Sequence, residues 1–192
     1  LPFIAGAMEA GQPNEELKAW AGVDSAPVVA ANSSPPINRW NDILLLLEEL
    51  SPNKPLIPTE PDLRVQFWGI AHAICAADGF GWNRRLDGLH RGAKVGFNPG
   101  RFGKKYGYTT ESGEKAEYKS VQFMRYLSGV LKRQREKGIS YIVGNSVSAV
   151  DFYWAAFSNL VVLQSPEACP VDDSIRERFE NVSSKVAEAF DP

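Results

Sequence analysis

Apolar residues recur at helical spacing along most of the chain, most densely after residue 60. Val65, Phe67, Trp68, Ile70 and Ile74 predict a helix from Pro61 to Asp78, opened by Pro at an early position and Asp62 in the first turn. Gly79-Phe-Gly-Trp82 interrupts it, and Asn83 to Arg91 resumes as helix. Residues 92 to 112 read as a Gly-rich, basic loop with a short helical piece. Val121, Met124, Leu127 and Leu131 mark the buried stripe of a long helix from Glu114 to Lys137, whose last turns carry Lys132, Arg133, Arg135 and Lys137, where the helix dipole favours cations. Asp172 to Phe190 reads as the last helix, with Ile175, Phe179, Val182, Val186 and Phe190 inward.

The most informative segment runs from Tyr141 to Phe157. Gly144 and Asn145 can turn the chain. Ser148 suits an N-cap, and Asp151 stands where its carboxylate can reach back to the cap N–H, as a short variant of the capping box. Phe152, Tyr153, Trp154, Ala155, Ala156 and Phe157 are apolar nearly all round, the pattern of a helix inside a core, from Ala149 to about Leu163.

The first third is different. Asn14 to Trp20 reads as a short helix, with Asn14 as cap and Gly22 as stop; Ala26-Pro-Val-Val-Ala-Ala31 leans towards strand, and Asn32-Ser-Ser-Pro-Pro36 is a turn. A helix from Asn38 to Leu50 turns Trp40, Ile43, Leu44 and Leu47 to one face. The Pro-rich stretch Ser51 to Pro58 is extended and reads as a linker. The organisation expected is a short α/β region over 1–50, a linker over 51–59 and a bundle of about five helices over 60–192.

Composition excludes several functions. Hydrophobic residues are 44% and charged residues 23%, the balance of a soluble globular protein. The formal net charge of −2 gives no electrostatic footprint for nucleic acid. The basic loop from Lys94 to Lys105, with Phe97, Phe102 and Tyr106, has some look of a nucleic-acid surface, which the overall acidity opposes. No apolar run approaches the ~20 residues of a membrane span. Cys75 and Cys169 fit free thiols, and with His72 and His90 they form no metal-binding spacing. Cys75 reads as a small buried apolar residue, and His72 points elsewhere on the same helix. The chain starts without Met and without a basic leader, which suggests a processed or partial product, an upstream targeting segment removed, and a soluble intracellular compartment.

Gly144-x-x-x-Ser148-x-x-Asp151 before an apolar helix resembles the capping motif in the helical domain of the cytosolic glutathione transferases. Ser25-Ala-Pro27-Val-Val resembles that family's cis-proline strand, and the resemblance extends over roughly residues 10 to 190. It implies a mostly α protein: a partial thioredoxin-like α/β N-terminal part, then an all-helical C-terminal bundle. Asp78-Gly-Phe-Gly-Trp-Asn-Arg-Arg85 resembles a mark of one divergent branch.

By the same resemblance, the backbone at Ala26 and Pro27 would contact the cysteinyl part of glutathione. Asn38 and Arg39 would occupy the places of a Glu/Gln–Ser pair that holds its γ-glutamyl group; Asn38 keeps hydrogen-bonding capacity, while Arg39 offers a cation instead of a hydroxyl acceptor. Trp82, Arg84 and Arg85 would border the site for a hydrophobic second substrate, Trp82 by stacking and the arginines by binding an anionic group. The plainer reading has one arginine paired with Asp78 or Asp87 and the other solvated.

The family's catalytic Tyr, Ser or Cys comes from a first strand for which the residues before Pro27 leave no room, since a βαβ unit takes ~30 residues by itself. Tyr106, Tyr108 and Tyr153 are hydroxyls of the helical part and read as core or loop residues, so no catalytic residue is assigned. The function expected is that of a glutathione-transferase-like protein, conjugating glutathione to a small electrophile if active, without a metal and possible as a homodimer. The alternative is a non-catalytic accessory or scaffold subunit of a larger assembly.

Overall fold

The computed structural model describes residues 2–9 and 12–190. The chain divides into two compact units, Leu1–Leu56 and Ile57–Pro192. The first contains α1 (Glu15–Ala21) and α2 (Trp40–Leu50). Gly22 ends α1 in the left-handed conformation, its N–H returning to the Lys18 carbonyl. Asn14 precedes α1 but makes no side-chain cap; its side chain instead joins Glu9 and Gln12. Ile43 and Leu44 form the buried face of α2, while Leu47 is largely exposed.

Among the described residues the expected α/β part is not shown. Helix makes up 58% of the chain and strand 1%. Among the described residues the extended segments meet in one antiparallel rung, where Val29 and Ile37 exchange N–H···O bonds of 2.9 and 2.8 Å. The cause is legible in the residues. Pro27, Pro35 and Pro36 lack amide donors, so the ladder cannot grow in either direction from that rung. The partial thioredoxin-like reading is therefore withdrawn.

The second unit is helical: α3 (Pro61–Cys75), α4 (Phe80–Lys94), α5 (Gly100–Tyr106), α6 (Thr110–Glu136), α7 (Ala149–Phe157), α8 (Asp173–Glu180) and α9 (Ser184–Ala189). Glu60 caps α3 by accepting from the N–H groups of Asp62 and Leu63. Helix α4 lies along α6, α7 packs on α3, and α9 packs on α6. One core cluster is Phe80, Val121, Met124, Val161, Val186 and Ala189, with Phe123, Trp154, Phe157, Val182 and Phe190 closing its edge; Phe67, Ile70, Ile74, Val143 and Val150 are buried as well.

Several helix boundaries differ from expectation; α3 ends at Cys75, α4 runs from Phe80 to Lys94, and α7 ends at Phe157. Thr109 and Ser112 form a reciprocal capping box, so α6 starts at Thr110. The last helix is two: α8 ends at Glu180, and Ser183 caps α9 by accepting from the Val186 N–H. Ile175 and Phe179 of α8 are 42% and 39% exposed, against the inward face predicted. Helix α7 buries one face only: Ala149 and Val150 are covered and Trp154 and Phe157 half-covered, but Phe152 is 57% exposed.

Candidate functional site

The turn from α3 into α4 is built by the segment Asp78 to Arg85. Asp78 has φ +66°, and Gly79 comes so close to the carbonyls of His72, Ala73 and Ala76 that a Cβ would stand 2.9 Å from each. Only glycine fits there. Buried Asn83 then ties the turn down, donating to the carbonyls of Asp78 and Gly79 at 2.6 and 3.0 Å. Phe80 enters the core against Phe123 and Trp154, with ring centroids 5.6 and 5.3 Å away. Gly81 lets the Phe157 ring lie where a Cβ would sit.

The next three residues diverge. Trp82 donates its indole N–H to the Tyr106 carbonyl at 3.0 Å and meets the Tyr106 ring edge-on, 5.0 Å between centroids. Arg85 donates to the Gly81 carbonyl at 2.6 Å, and its guanidinium carbon lies 5.7 Å from the ring centroids of both Tyr106 and Phe157. Arg84 goes inward and is 5% exposed. It pairs with Asp87 and donates from Nε and Nη2 to the Leu160 carbonyl at 3.2 and 3.0 Å. Burial lowers its pKa, and Asp87 opposes that shift. Arg84 thus joins α4 to the turn after α7 and offers no anion-binding group to solvent. Trp82 and Arg85, half-buried, remain together on one face.

The nucleophile and hydroxyl candidates are poorly placed for thiolate chemistry. Cys75 is half-buried, and this partial burial pushes its thiol up to about 12. Burial, and then the neighbouring Cys75, push the Tyr153 phenol up to about 12. A thiol-activating group needs the opposite shift. Tyr106 and Tyr108 are engaged structurally: Tyr108 Oη lies 3.2 Å from Nδ1 of buried His90.

The cap of α7 is built on Asp151. Its Oδ2 accepts from the Ser148 N–H at 2.8 Å and from the Ser148 hydroxyl at 3.0 Å, and its Oδ1 accepts from the Ile142 N–H at 2.9 Å. One carboxylate therefore pins both the helix start and the loop before it.

Comparison with protein families and with curated proteins finds no match.

In the first unit, Ala26 and Pro27 are exposed, and the peptide bond between them is cis. Asn38 and Arg39 are exposed just ahead of α2, and Arg39 stands at its N-cap without a side-chain cap bond. The Val29–Ile37 rung joins the segment that follows Pro27 to the one that precedes Asn38. Among the described residues no cluster of His, Cys, Asp or Glu could hold a metal, and no helix is long and apolar enough to cross a membrane.

In the sequence Tyr106 stands out as a hydroxyl and as one aromatic residue of the basic loop. Its ring is the part that matters, and Phe157 is the second ring of the pair; no spacing links residues so far apart. Sequence reasoning read Arg133 and Lys137 as dipole-compensating charges and missed the cleft they line. A signal was available: neither has an acidic residue four positions away on either side.

Proposed function

We propose that the chain is a glutathione-transferase-like protein whose residues serve binding and do not themselves activate a thiolate. The observation that supports this reading is the Ser148–Asp151 cap at the start of α7, formed by the two residues on which the resemblance rests. In the first unit, the backbone at Ala26 and Pro27 and the side chains of Asn38 and Arg39 contact the tripeptide. In the second, Trp82 and Arg85 accept a planar second ligand, Trp82 by its ring and Arg85 by its charge. Cys75 and Tyr153, both held protonated at neutral pH, favour binding without turnover.

The test is retention on immobilised glutathione together with turnover of 1-chloro-2,4-dinitrobenzene. Expected is weak retention, reduced by Asn38→Ala and abolished by deleting residues 25–40, with turnover no faster than in buffer. Turnover that saturates in glutathione would overturn the separation of binding from chemistry. Absent retention, with co-purification in a large assembly, would support the second reading, a non-catalytic accessory subunit, which the exposed apolar side of α7 at Phe152 favours.

A further inference from the structure

A cleft of about 370 Å3 opens in the second unit where α3, the last turns of α6 and the following loop meet. That volume lies in the range of small-molecule sites, ~300–1,000 Å3. Leu63 and Gln66 line it from α3, Arg133 from α6, Lys137 from the C-cap of α6, and Ile139 and Asn145 from the loop. No acidic residue lines it. The loop wall is fixed in advance. Gln134 donates its amide to the carbonyls of Tyr141 and Gly144, both at 2.8 Å. Gly144 at φ +67° passes close over Leu63, where a Cβ would stand 3.2 Å from Leu63 Cδ1.

The charge count decides what the cleft suits. On the same helix, Lys115 pairs with Glu111 and Lys119 pairs with Asp78. Of the ion pairs found among the described residues, none involves Arg133 or Lys137. Two solvent-exposed cations one helical turn apart, on one cavity and without an ion-pair partner among the described residues, suit a ligand with two negative charges. The carbonyls ending α6 oppose an anion with about half a charge, less than two full cations supply. A phosphate monoester carries about −1.5 to −2 at pH 7. Arg133 suits it by forked hydrogen bonding and Lys137 as a point charge, while Gln66 and Asn145 have amide donors for the remaining oxygens. Leu63, Val130 and Ile139 leave an apolar strip for the organic part.

We propose that this cleft binds a small phosphate monoester, its phosphate on Arg133 and Lys137 and its organic part against Leu63 and Ile139. The cleft shares no residue with those assigned to glutathione or to the second ligand, so either assignment stands without the other.

The test is calorimetric titration of the full chain with phenyl phosphate, inorganic phosphate and benzoate at matched ionic strength. Phenyl phosphate should bind tighter than inorganic phosphate, which lacks the apolar part, and tighter than benzoate, which carries one charge. Arg133→Ala and Lys137→Ala should each weaken phenyl phosphate by about tenfold or more, the loss of one charge-assisted hydrogen bond. Lys132→Ala, which lines a neighbouring shallow groove instead, should leave it unchanged. Circular dichroism and melting of each variant separate lost binding from lost fold. No binding of phenyl phosphate by the parent chain, or affinity undiminished in the folded Arg133→Ala/Lys137→Ala double variant, overturns the proposal.

Discussion

Gly113 of α6 lies against the face of His90 of α4, so close that a Cβ on it would stand 2.7 Å from His90 Cβ, Cγ and Nδ1. His90 is 6% exposed, and its Nε2 is buried without a hydrogen-bond partner. The ring cannot swing away without giving up its contact with Tyr108. Gly113→Ala should therefore destabilise the fold by about 1–3 kcal/mol through overpacking, although alanine is the better helix former. Gly88→Ala is the matched comparison: it is exposed on α4 with nothing within 4 Å, and should gain about 0.5–1 kcal/mol. Melting curves of the two variants should move in opposite directions. A melting point raised by both would mean that α4 and α6 do not approach at this point.

Asp151 and Ser148 are unequal members of one cap. Ser148→Ala removes a hydroxyl and should cost about 1 kcal/mol. Asp151→Ala removes the acceptor of two backbone N–H groups, those of Ser148 and Ile142, and should cost about 2 kcal/mol or more. Urea unfolding measures both. Equal losses would show that the link to Ile142 contributes nothing.

Arg84 and Asp87 form a buried pair, each side chain 3% exposed. Removing Asp87 strands Arg84 and also takes from Arg91 a carboxylate 3.4 Å away. Asp87→Ala should cost about 3–5 kcal/mol, whereas the double change Arg84→Met with Asp87→Leu should recover much of that loss. Some deficit should remain, because the Leu160 carbonyl loses its donors. Because Arg84 acts inside the core, Arg84→Met with Asp87→Leu should also leave ligand binding unchanged wherever the fold persists, while Arg85→Ala weakens it.

What could be read beforehand follows the range of the interaction. The α7 cap was legible because Ser148 and Asp151 are three residues apart and act locally. The box that opens α6 was missed because Ser112 replaces the longer Glu or Gln expected at that place. The division of the last helix was missed because Val182 and Val186 keep helical spacing across the break at Ser183. The strand at Ala26–Ala31 failed for a reason also present in the residues: a strand needs donors and a partner, and three prolines removed the donors. At the site, Trp82 and Arg85 were legible as a candidate pair, while the fates of Arg84 and Tyr106 depended on Leu160 and Phe157, which no local pattern connects to them.

Cys75 and Tyr153 give the fold a weakness towards alkali. The thiol moves from an ordinary 9.0 to about 12 and the phenol from 10.0 to about 12, chiefly by burial. Between the ordinary and raised values the native chain keeps a proton that the unfolded chain has lost. Raising the pH therefore favours unfolding. The contribution of each group is complete below its ordinary value and is lost as pH climbs towards about 12. The urea midpoint should decline from pH 9 upward, and the decline should be shallower in Cys75→Ala and Tyr153→Phe. Other groups also titrate in this range, so the difference between parent and variant is the decisive quantity. The same burial should make Cys75 slow to react with a thiol-specific disulfide reagent at pH 8 until the chain is unfolded. Parallel pH profiles in parent and variants, or rapid labelling of Cys75 in the native protein, would show that the thiol is not shielded. The case for binding without thiolate chemistry would then lose its electrostatic support.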